Sequence, residues 1–128
     1  MRHRPSILYV EDDAAIADMY NLGLARAGFE LTVAGDWRQG RELLRSRRFD
    51  LVLLDIMLPG PDGMEALAEI RSDPTLRQVP VAILSNSEMS PDVHLRATRL
   101  GILGWLTKSK SPPPMVARSL RRWLKTQG

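Results

Sequence analysis

The sequence predicts an α/β protein of the doubly wound (βα)5 class, in which helices cover both faces of a five-stranded parallel sheet. Two observations lead to this class. Short apolar runs alternate five times with stretches of helical period along the 128-residue chain. Four of the five runs are nearly continuous in apolar residues, as strands covered on both faces are. Sheets of this class bind ligands beyond the carboxyl ends of their strands, which indicates where to look for a site.

Five runs are predicted as strands. The second run alternates apolar and polar side chains, and we therefore place it at an edge of the sheet. In chain order the runs are Ile7–Val10, Phe29–Val33, Leu51–Leu54, Val81–Leu84 and Ile102–Leu106.

The intervals between the strands carry apolar residues at helical spacing and are bounded by residues that begin or end helices. Gly28 is predicted to end the first helix, Asp62-Gly63 to open the third, and Asp73-Pro74 to end it. Ser90-Pro91 and Ser111-Pro112 each combine a capping serine with a proline in the first helical turn.

Length and composition limit the class of protein further. We predict a single domain over residues 1–128, because a chain of this length has no room for a second one. The absence of cysteine excludes disulfides and thiolate metal sites. The first apolar run is too short for a signal peptide or a membrane span, so we expect a soluble, cytoplasmic protein with no membrane partner.

The formal net charge of +3 arises largely from two arginine-rich stretches, 38–48 and 118–125. Both stretches fall on predicted amphipathic helices, where basic residues usually form the solvated face. No basic groove studded with aromatic residues accompanies them. Nucleic-acid binding by this domain alone is therefore not expected.

Polar residues follow four of the strands at the edge where the fold class places a ligand site. Glu11-Asp12-Asp13 follows the first strand, Asp55 the third, Ser85 the fourth and Thr107-Lys108 the fifth. Each has a simpler alternative explanation when taken singly, such as a helix cap, a turn or a solvated lysine. Together they suit phosphoryl transfer, since crowded carboxylates favour a hard cation such as Mg²⁺. Asp55 would be the nucleophile, with Ser85 and Lys108 neutralising charge on the transferred oxygens.

At these residues the chain resembles the receiver domain of bacterial response regulators, over essentially its whole length. The resemblance implies a flavodoxin-like three-layer sandwich with strand order 2-1-3-4-5. The segment around Asp55 is the most specific of the matching motifs. These motifs are Ile7 to Asp13, Asp50 to Glu65, Val79 to Ser85 and Gly104 to Lys108.

The resemblance also implies a role for each acidic residue. Asp55 corresponds to the phosphoacceptor and to one ligand of a bound Mg²⁺. Asp12 corresponds to the direct metal carboxylate and Glu11 to its water-mediated helper. The backbone carbonyl of Met57 would complete the metal site.

Phosphoryl contacts and switching are implied for a second group of residues, where the chain departs from the family pattern. Ser85 and Lys108 correspond to residues that contact the phosphoryl group, and Trp105 to the aromatic residue that turns inward. Asn86 replaces the usual alanine or glycine and is expected to crowd the phosphoryl group or hydrogen-bond to it. Ser109 replaces a proline that often follows a cis bond, so we expect a trans bond or a different loop here. For Trp105, core packing and permanent exposure as a binding anchor both stay open.

The implied function is that of a two-component signalling domain. It would accept a phosphoryl group from a sensor histidine kinase or a histidine phosphotransfer protein. The surface of helix four, strand five and helix five would then switch and be read by a downstream effector protein or domain. The only enzymatic activities expected are Mg-dependent self-phosphorylation from a phosphodonor and slow autodephosphorylation.

Two alternative functions compete with this one. The first is a receiver-like module for protein interaction, with phosphorylation weakened or lost because of Asn86 and Ser109. The second is a hydrolase of the haloacid-dehalogenase kind, which also uses an aspartyl phosphate. It is disfavoured because Met57 stands where that family has a second aspartate.

Overall fold

The computed structural model describes residues 4–86 and 90–127, in which five β-strands alternate with five α-helices. A short 3₁₀ helix, Lys108–Lys110, follows the last strand. The strands are β1 Ser6–Val10, β2 Glu30–Ala34, β3 Leu51–Leu54, β4 Val81–Ser85 and β5 Trp105–Thr107. The helices are α1 Ala14–Arg26, α2 Trp37–Ser46, α3 Gly63–Ser72, α4 Pro91–Leu100 and α5 Pro113–Gln127.

The five strands form one parallel sheet in the order β2-β1-β3-β4-β5, which confirms the predicted class and order. In β1, Val10 pairs with Ala34 of β2 on one side and with Leu54 of β3 on the other. The carboxyl ends of these three strands are therefore level. The predicted edge position of β2 is also confirmed, since this strand has a neighbour on one side only.

Two hydrophobic cores lie on opposite faces of the sheet and give the molecule its three layers. One core joins the sheet to α1 and α5, with Tyr20 and Trp123 among its larger members. The other core joins the sheet to α2, α3 and α4 around the fully buried Trp37. Alternate residues of the buried strands contribute to the two cores, which explains why their sequences are apolar throughout.

Most predicted helix boundaries agree with the structure. The side chain of Asp62 caps α3 in a capping box with Glu65, and Ser90 caps α4 ahead of Pro91. Gly28 has a φ of 100° and lies two residues beyond the end of α1, where only glycine adopts this conformation readily. The prediction at Ser111-Pro112 is wrong by one residue, because α5 begins at Pro113.

Strand five is the main difference from the sequence prediction. The apolar run begins at Ile102, but the paired strand begins only at Trp105 and continues to Thr107. The backbone approaches β4 gradually: the Leu103 N–H donates to Val81 O at 2.8 Å before regular pairing starts. Gly104 lies so close to Trp123 of α5 that an added Cβ would be 2.4 Å from the indole ring. Only glycine fits at this position, immediately before the paired strand.

Part of the first arginine-rich stretch is neutralised by the neighbouring helix. Arg41 forms two hydrogen bonds with Glu69 of α3, and Arg45 forms an ion pair of 3.2 Å with Asp73.

Among the residues that the structure describes, no helix has the length and apolarity that a membrane crossing requires.

Candidate functional site

Two buried carboxylates extend the central strands by one residue each. The Glu11 N–H donates to Ala34 O of β2 at 2.9 Å, and the Asp55 N–H donates to Val10 O of β1 at 3.2 Å. The backbone of both residues thus continues the sheet. Glu11 is 2% exposed and Asp55 is 3% exposed. Two carboxyl groups buried side by side are stabilised by a positive partner.

Lys108 supplies that positive charge. Its ammonium donates to Asp55 Oδ2 at 2.8 Å and also to Glu11 Oε1, and its side chain is only 7% exposed. Burial by itself lowers the pKa of a lysine, but the hydrogen bonds to Asp55 and Glu11 outweigh it here. The pKa of Lys108 is therefore raised, and the ammonium stays charged at neutral pH.

Glu11 is held from three directions. Its Oε1 atom accepts from the Tyr9 hydroxyl at 3.0 Å as well as from Lys108, and its Oε2 atom accepts from the Asp13 N–H at 3.1 Å. Burial raises the pKa of Glu11, and the hydrogen bond from Lys108 acts against that rise. Burial also raises the pKa of Tyr9, so its hydroxyl stays protonated and able to donate.

Glu11, Asp12 and Asp55 can each place one carboxylate oxygen within 4.8 Å of the others, so this cluster could hold a metal ion. The side chain of Asp12 is exposed, which leaves it accessible to a hydrated cation. Asp13 points elsewhere and caps α1 by accepting from the Ile16 N–H at 3.1 Å. An all-oxygen donor set with accessible solvent fits a hard cation that keeps several waters.

The loop after β3 presents Asp55 to this cluster. Asp55 Oδ1 accepts from the Met57 N–H at 3.1 Å, while the Met57 side chain is 63% exposed. Gly63, the first residue of α3, lies against the same loop. A Cβ added there would be 2.1 Å from the Asp55 carbonyl oxygen and 2.6 Å from Ile56 Cα. Only glycine allows α3 to begin this close to Asp55.

Ser85, the last residue of β4, places a hydroxyl at the same edge of the sheet. It is fully buried, and its Oγ atom has no hydrogen-bond partner among the described residues. A buried hydroxyl without a partner costs free energy unless a ligand or water completes it. Asn86 follows with an exposed side chain, immediately before the three residues that the structure does not describe.

Trp105 in β5 is half-buried, so neither complete core packing nor full exposure describes it. Its ring packs against the α2–α3–α4 core and lies 5.3 Å, centroid to centroid, from the ring of His94 in α4. Its neighbour Leu106 packs into the opposite core, as expected from strand alternation.

The loop after Lys108 agrees with the expectation from Ser109. The described residues contain no cis peptide bond, and the chain turns instead through the 3₁₀ helix. Sequence reasoning missed the roles of Tyr9, Tyr20 and Gly63 in supporting the site. Tyr9 had a signal, because residues i and i+2 of a strand share a face and Tyr9 is two before Glu11. Tyr20 had none, since its contacts are 88 and 91 residues away.

The fold and this edge of the sheet define a doubly wound α/β domain with an acidic, lysine-bridged site at the carboxyl ends of its central strands. Residues 7–119 match the family model described as response regulator receiver domain. The DNA-binding response regulator MtrA of Mycobacterium tuberculosis is 37% identical over 115 residues, which are 90% of this chain and 49% of MtrA. The chain therefore spans about half the length of the curated relatives it matches.

Solved structures agree with this family. The chemotaxis response regulator CheY4 of Vibrio cholerae has a TM-score of 0.84 at 27% identity, over 94% of this chain and 99% of CheY4. The phosphorylated cyanobacterial phytochrome response regulator RcpA has a TM-score of 0.82 at 30% identity, over 98% of this chain and 97% of RcpA. The chain belongs to the response regulator receiver domain family. It is a receiver domain of two-component signal transduction with a CheY-like, flavodoxin-type fold.

Proposed function

We propose that Asp55 accepts a phosphoryl group from a sensor histidine kinase or a histidine phosphotransfer protein in a reaction that requires Mg²⁺. One observation carries the proposal. A buried aspartate, held at both of its oxygens, lies at the same sheet edge as a lysine ammonium and a buried serine hydroxyl that has no partner among the described residues. The similar protein RcpA is itself described as phosphorylated.

The side chains supply what the reaction needs. A carboxylate oxygen of Asp55 forms a new bond to phosphorus, while the bond from phosphorus to the donor breaks and its electron pair leaves with the donor. Lys108 and the Ser85 hydroxyl donate to the phosphoryl oxygens and neutralise their charge. Mg²⁺, when bound, neutralises further charge on these oxygens.

Four groups would hold the metal ion. Asp12 and Asp55 would bind it directly, the Met57 carbonyl would complete the set, and Glu11 would act through water. The three bonds that already hold Glu11 favour this indirect role, since neither of its oxygens is without a donor. The exposed Asp12, by contrast, has a carboxylate that can reach a hydrated ion.

The output surface is proposed to consist of α4, β5 and α5, read by an effector protein or domain. Trp105 and His94 lie at the junction of α4 with β5. Ser85 pairs with Thr107 of the same strand, so a displacement of Ser85 would reach β5 and Trp105 through the strand pairing. That residues 1–128 make up one receiver domain, and that it acts in the cytoplasm, stay predictions.

Acetyl phosphate and Mg²⁺ test the proposal directly. The wild-type protein is expected to gain the mass of one phosphoryl group, which base removes. Asp55→Asn is expected to abolish the gain, because an amide is a poor nucleophile. Asp18→Asn, which removes an exposed carboxylate of α1, is the matched control and keeps the gain.

The same experiment distinguishes the phosphoacceptor function from the alternative of an interaction module that signals without phosphorylation. A wild-type protein that gains no mass and shows no affinity for Mg²⁺ would contradict the proposal. A partner that binds equally well to wild type and Asp55→Asn would then support a module that signals without phosphorylation.

A further inference from the structure

Tyr20 of α1 connects the first helix to the loop that carries Lys108. The side chain is only 1% exposed, and its hydroxyl donates to the Ser111 carbonyl oxygen at 2.7 Å. The same hydroxyl lies 3.4 Å from the Lys108 carbonyl oxygen. One buried donor thus contacts the first and last residues of the turn from Lys108 to Ser111.

A second contact holds the same segment against α1. Gly23 lies three residues after Tyr20 and therefore on the same side of the helix. A Cβ added at Gly23 would be 2.3 Å from Pro113 Cβ, so the start of α5 rests directly on the α1 backbone. The segment that follows Lys108 is held at Ser111 by a hydrogen bond and at Pro113 by close packing.

The turn after Lys108 begins as a short 3₁₀ helix. Ser109 follows Lys108, so no proline ring restricts the backbone there. Within the turn, the Ser111 N–H donates to the Lys108 carbonyl oxygen at 3.2 Å. The Lys108 ammonium must nevertheless reach Asp55 at 2.8 Å from this turn. A fixed backbone at Lys108 reduces the number of side-chain conformations that miss Asp55.

We propose that Tyr20 is a positioning residue for phosphoryl transfer: its hydroxyl fixes the turn from Lys108 to Ser111, so that the ammonium points at Asp55. This inference rests on the proposed function of Asp55 for its consequence in catalysis. The ring of Tyr20 has a separate role in the core, where it packs edge-on against Tyr9 with centroids 6.0 Å apart. Tyr20→Phe separates the two roles, because it keeps the ring and removes only the hydroxyl.

Hydrogen exchange tests the structural part without any phosphodonor. In Tyr20→Phe we expect the Ser111 amide to exchange about tenfold faster. This change corresponds to a free energy of local opening that is lower by ~1.4 kcal/mol. Amides in the middle of α1 and β1 are expected to keep their rates. Leu24→Val, which removes a buried methylene from the same helix without touching the turn, is the control for general loosening. An unchanged Ser111 amide in Tyr20→Phe, or an equal effect in Leu24→Val, would overturn the inference.

Phosphorylation kinetics test the positioning part. With saturating Mg²⁺ and acetyl phosphate, the rate for Tyr20→Phe is expected to fall about three- to tenfold. The affinity for Mg²⁺ is expected to stay the same or rise slightly, because the proposed metal ligands follow β1 and β3, away from this turn, and a less ordered ammonium repels the cation less. A parallel loss of rate and Mg²⁺ affinity would reduce Tyr20 to a residue of general stability. If the wild type takes up no phosphoryl group, the proposed function fails, and the exchange data still decide whether Tyr20 holds the turn.

Discussion

The two halves of the site are built differently. The acidic half, formed by Glu11, Asp12 and Asp55, continues β1 and β3, which have paired neighbours on both sides. The half that faces the proposed output surface depends on the end of β4 and on β5, a three-residue strand with one neighbour. The first half is held by the sheet itself. The second is paired through β4, and it also depends on side-chain contacts such as those of Lys108 and Tyr20.

Lys108 is the side chain that joins the two halves, and its loss is expected to have the largest effect. Lys108→Met leaves Glu11 and Asp55 buried together without a cation, which should lower the free energy of unfolding by about 3 kcal/mol at pH 7 without metal. Mg²⁺ should restore part of that loss, because it is proposed to bind the same carboxylates. Urea unfolding with and without Mg²⁺ measures both quantities, and Lys125→Met on the exposed side of α5 is the control.

The same variant has a predictable pH dependence. Burial raises the pKa of Glu11 above its ordinary 4.5, and removing the Lys108 ammonium removes the main interaction that opposes the rise. A carboxyl whose pKa is higher in the folded state stabilises the fold at low pH, and this contribution disappears as pH rises through the folded pKa. The deficit of Lys108→Met should therefore shrink as pH falls from 7 towards 4.5. A deficit that is equal across this range would show that Glu11 and Asp55 are not its source.

Gly63 tests how closely α3 must approach the acidic half. Gly63→Ala places a methyl group 2.1 Å from the Asp55 carbonyl oxygen, so the loop or the helix must shift, at a cost of about 2 kcal/mol. Mg²⁺ affinity should fall as well, because Asp55 moves with the loop. At Gly35 the nearest atom to an added Cβ is 3.8 Å away, and Gly35→Ala should change stability by less than about 0.5 kcal/mol. Equal unfolding midpoints for the two variants would contradict the close approach.

The same division marks how far sequence could predict the site. Glu11, Asp55, Ser85 and Lys108 come at or just after the ends of apolar runs, so strand pairing brings them to one edge by a local rule. The support of the Lys108 turn by Tyr20, which is 88 residues away in the chain, gives no local pattern. The predicted fifth strand started three residues early, and the close packing of Gly104 on Trp123 just before the paired strand is a contact between distant segments that no local pattern indicates. Sequence periodicity predicted the residues that strand pairing positions. Contacts between side chains far apart in the chain position the other parts of the site.

Substitution of Trp105 should have a moderate effect on stability, confined to the half of the site that is formed by β4 and β5. Trp105→Ala removes a half-buried ring and its contact with His94, at a cost of about 1 to 1.5 kcal/mol. His94→Ala loses only the ring contact and should cost less. Mg²⁺ affinity should stay unchanged in both variants, as measured by titration of the remaining tryptophan fluorescence or by calorimetry. A clear loss of Mg²⁺ affinity in Trp105→Ala would mean that the two halves are more tightly coupled than the contacts indicate.

Asn86 should give the smallest effect, one that appears in the rate and not in stability. Its side chain is exposed at the end of β4, so Asn86→Ala should change the free energy of unfolding by less than about 0.5 kcal/mol. The smaller side chain is expected to open access to Ser85 and Asp55. Phosphorylation by acetyl phosphate should become about threefold faster, which corresponds to an activation free energy lower by ~0.7 kcal/mol. Asn86→Asp keeps the size but repels the phosphodonor, and should be slower than wild type. If Asn86→Ala is the slower variant, the amide assists the reaction by hydrogen bonding instead of crowding the site, and Asn86 then joins Ser85 and Lys108 as a group that contacts the phosphoryl oxygens.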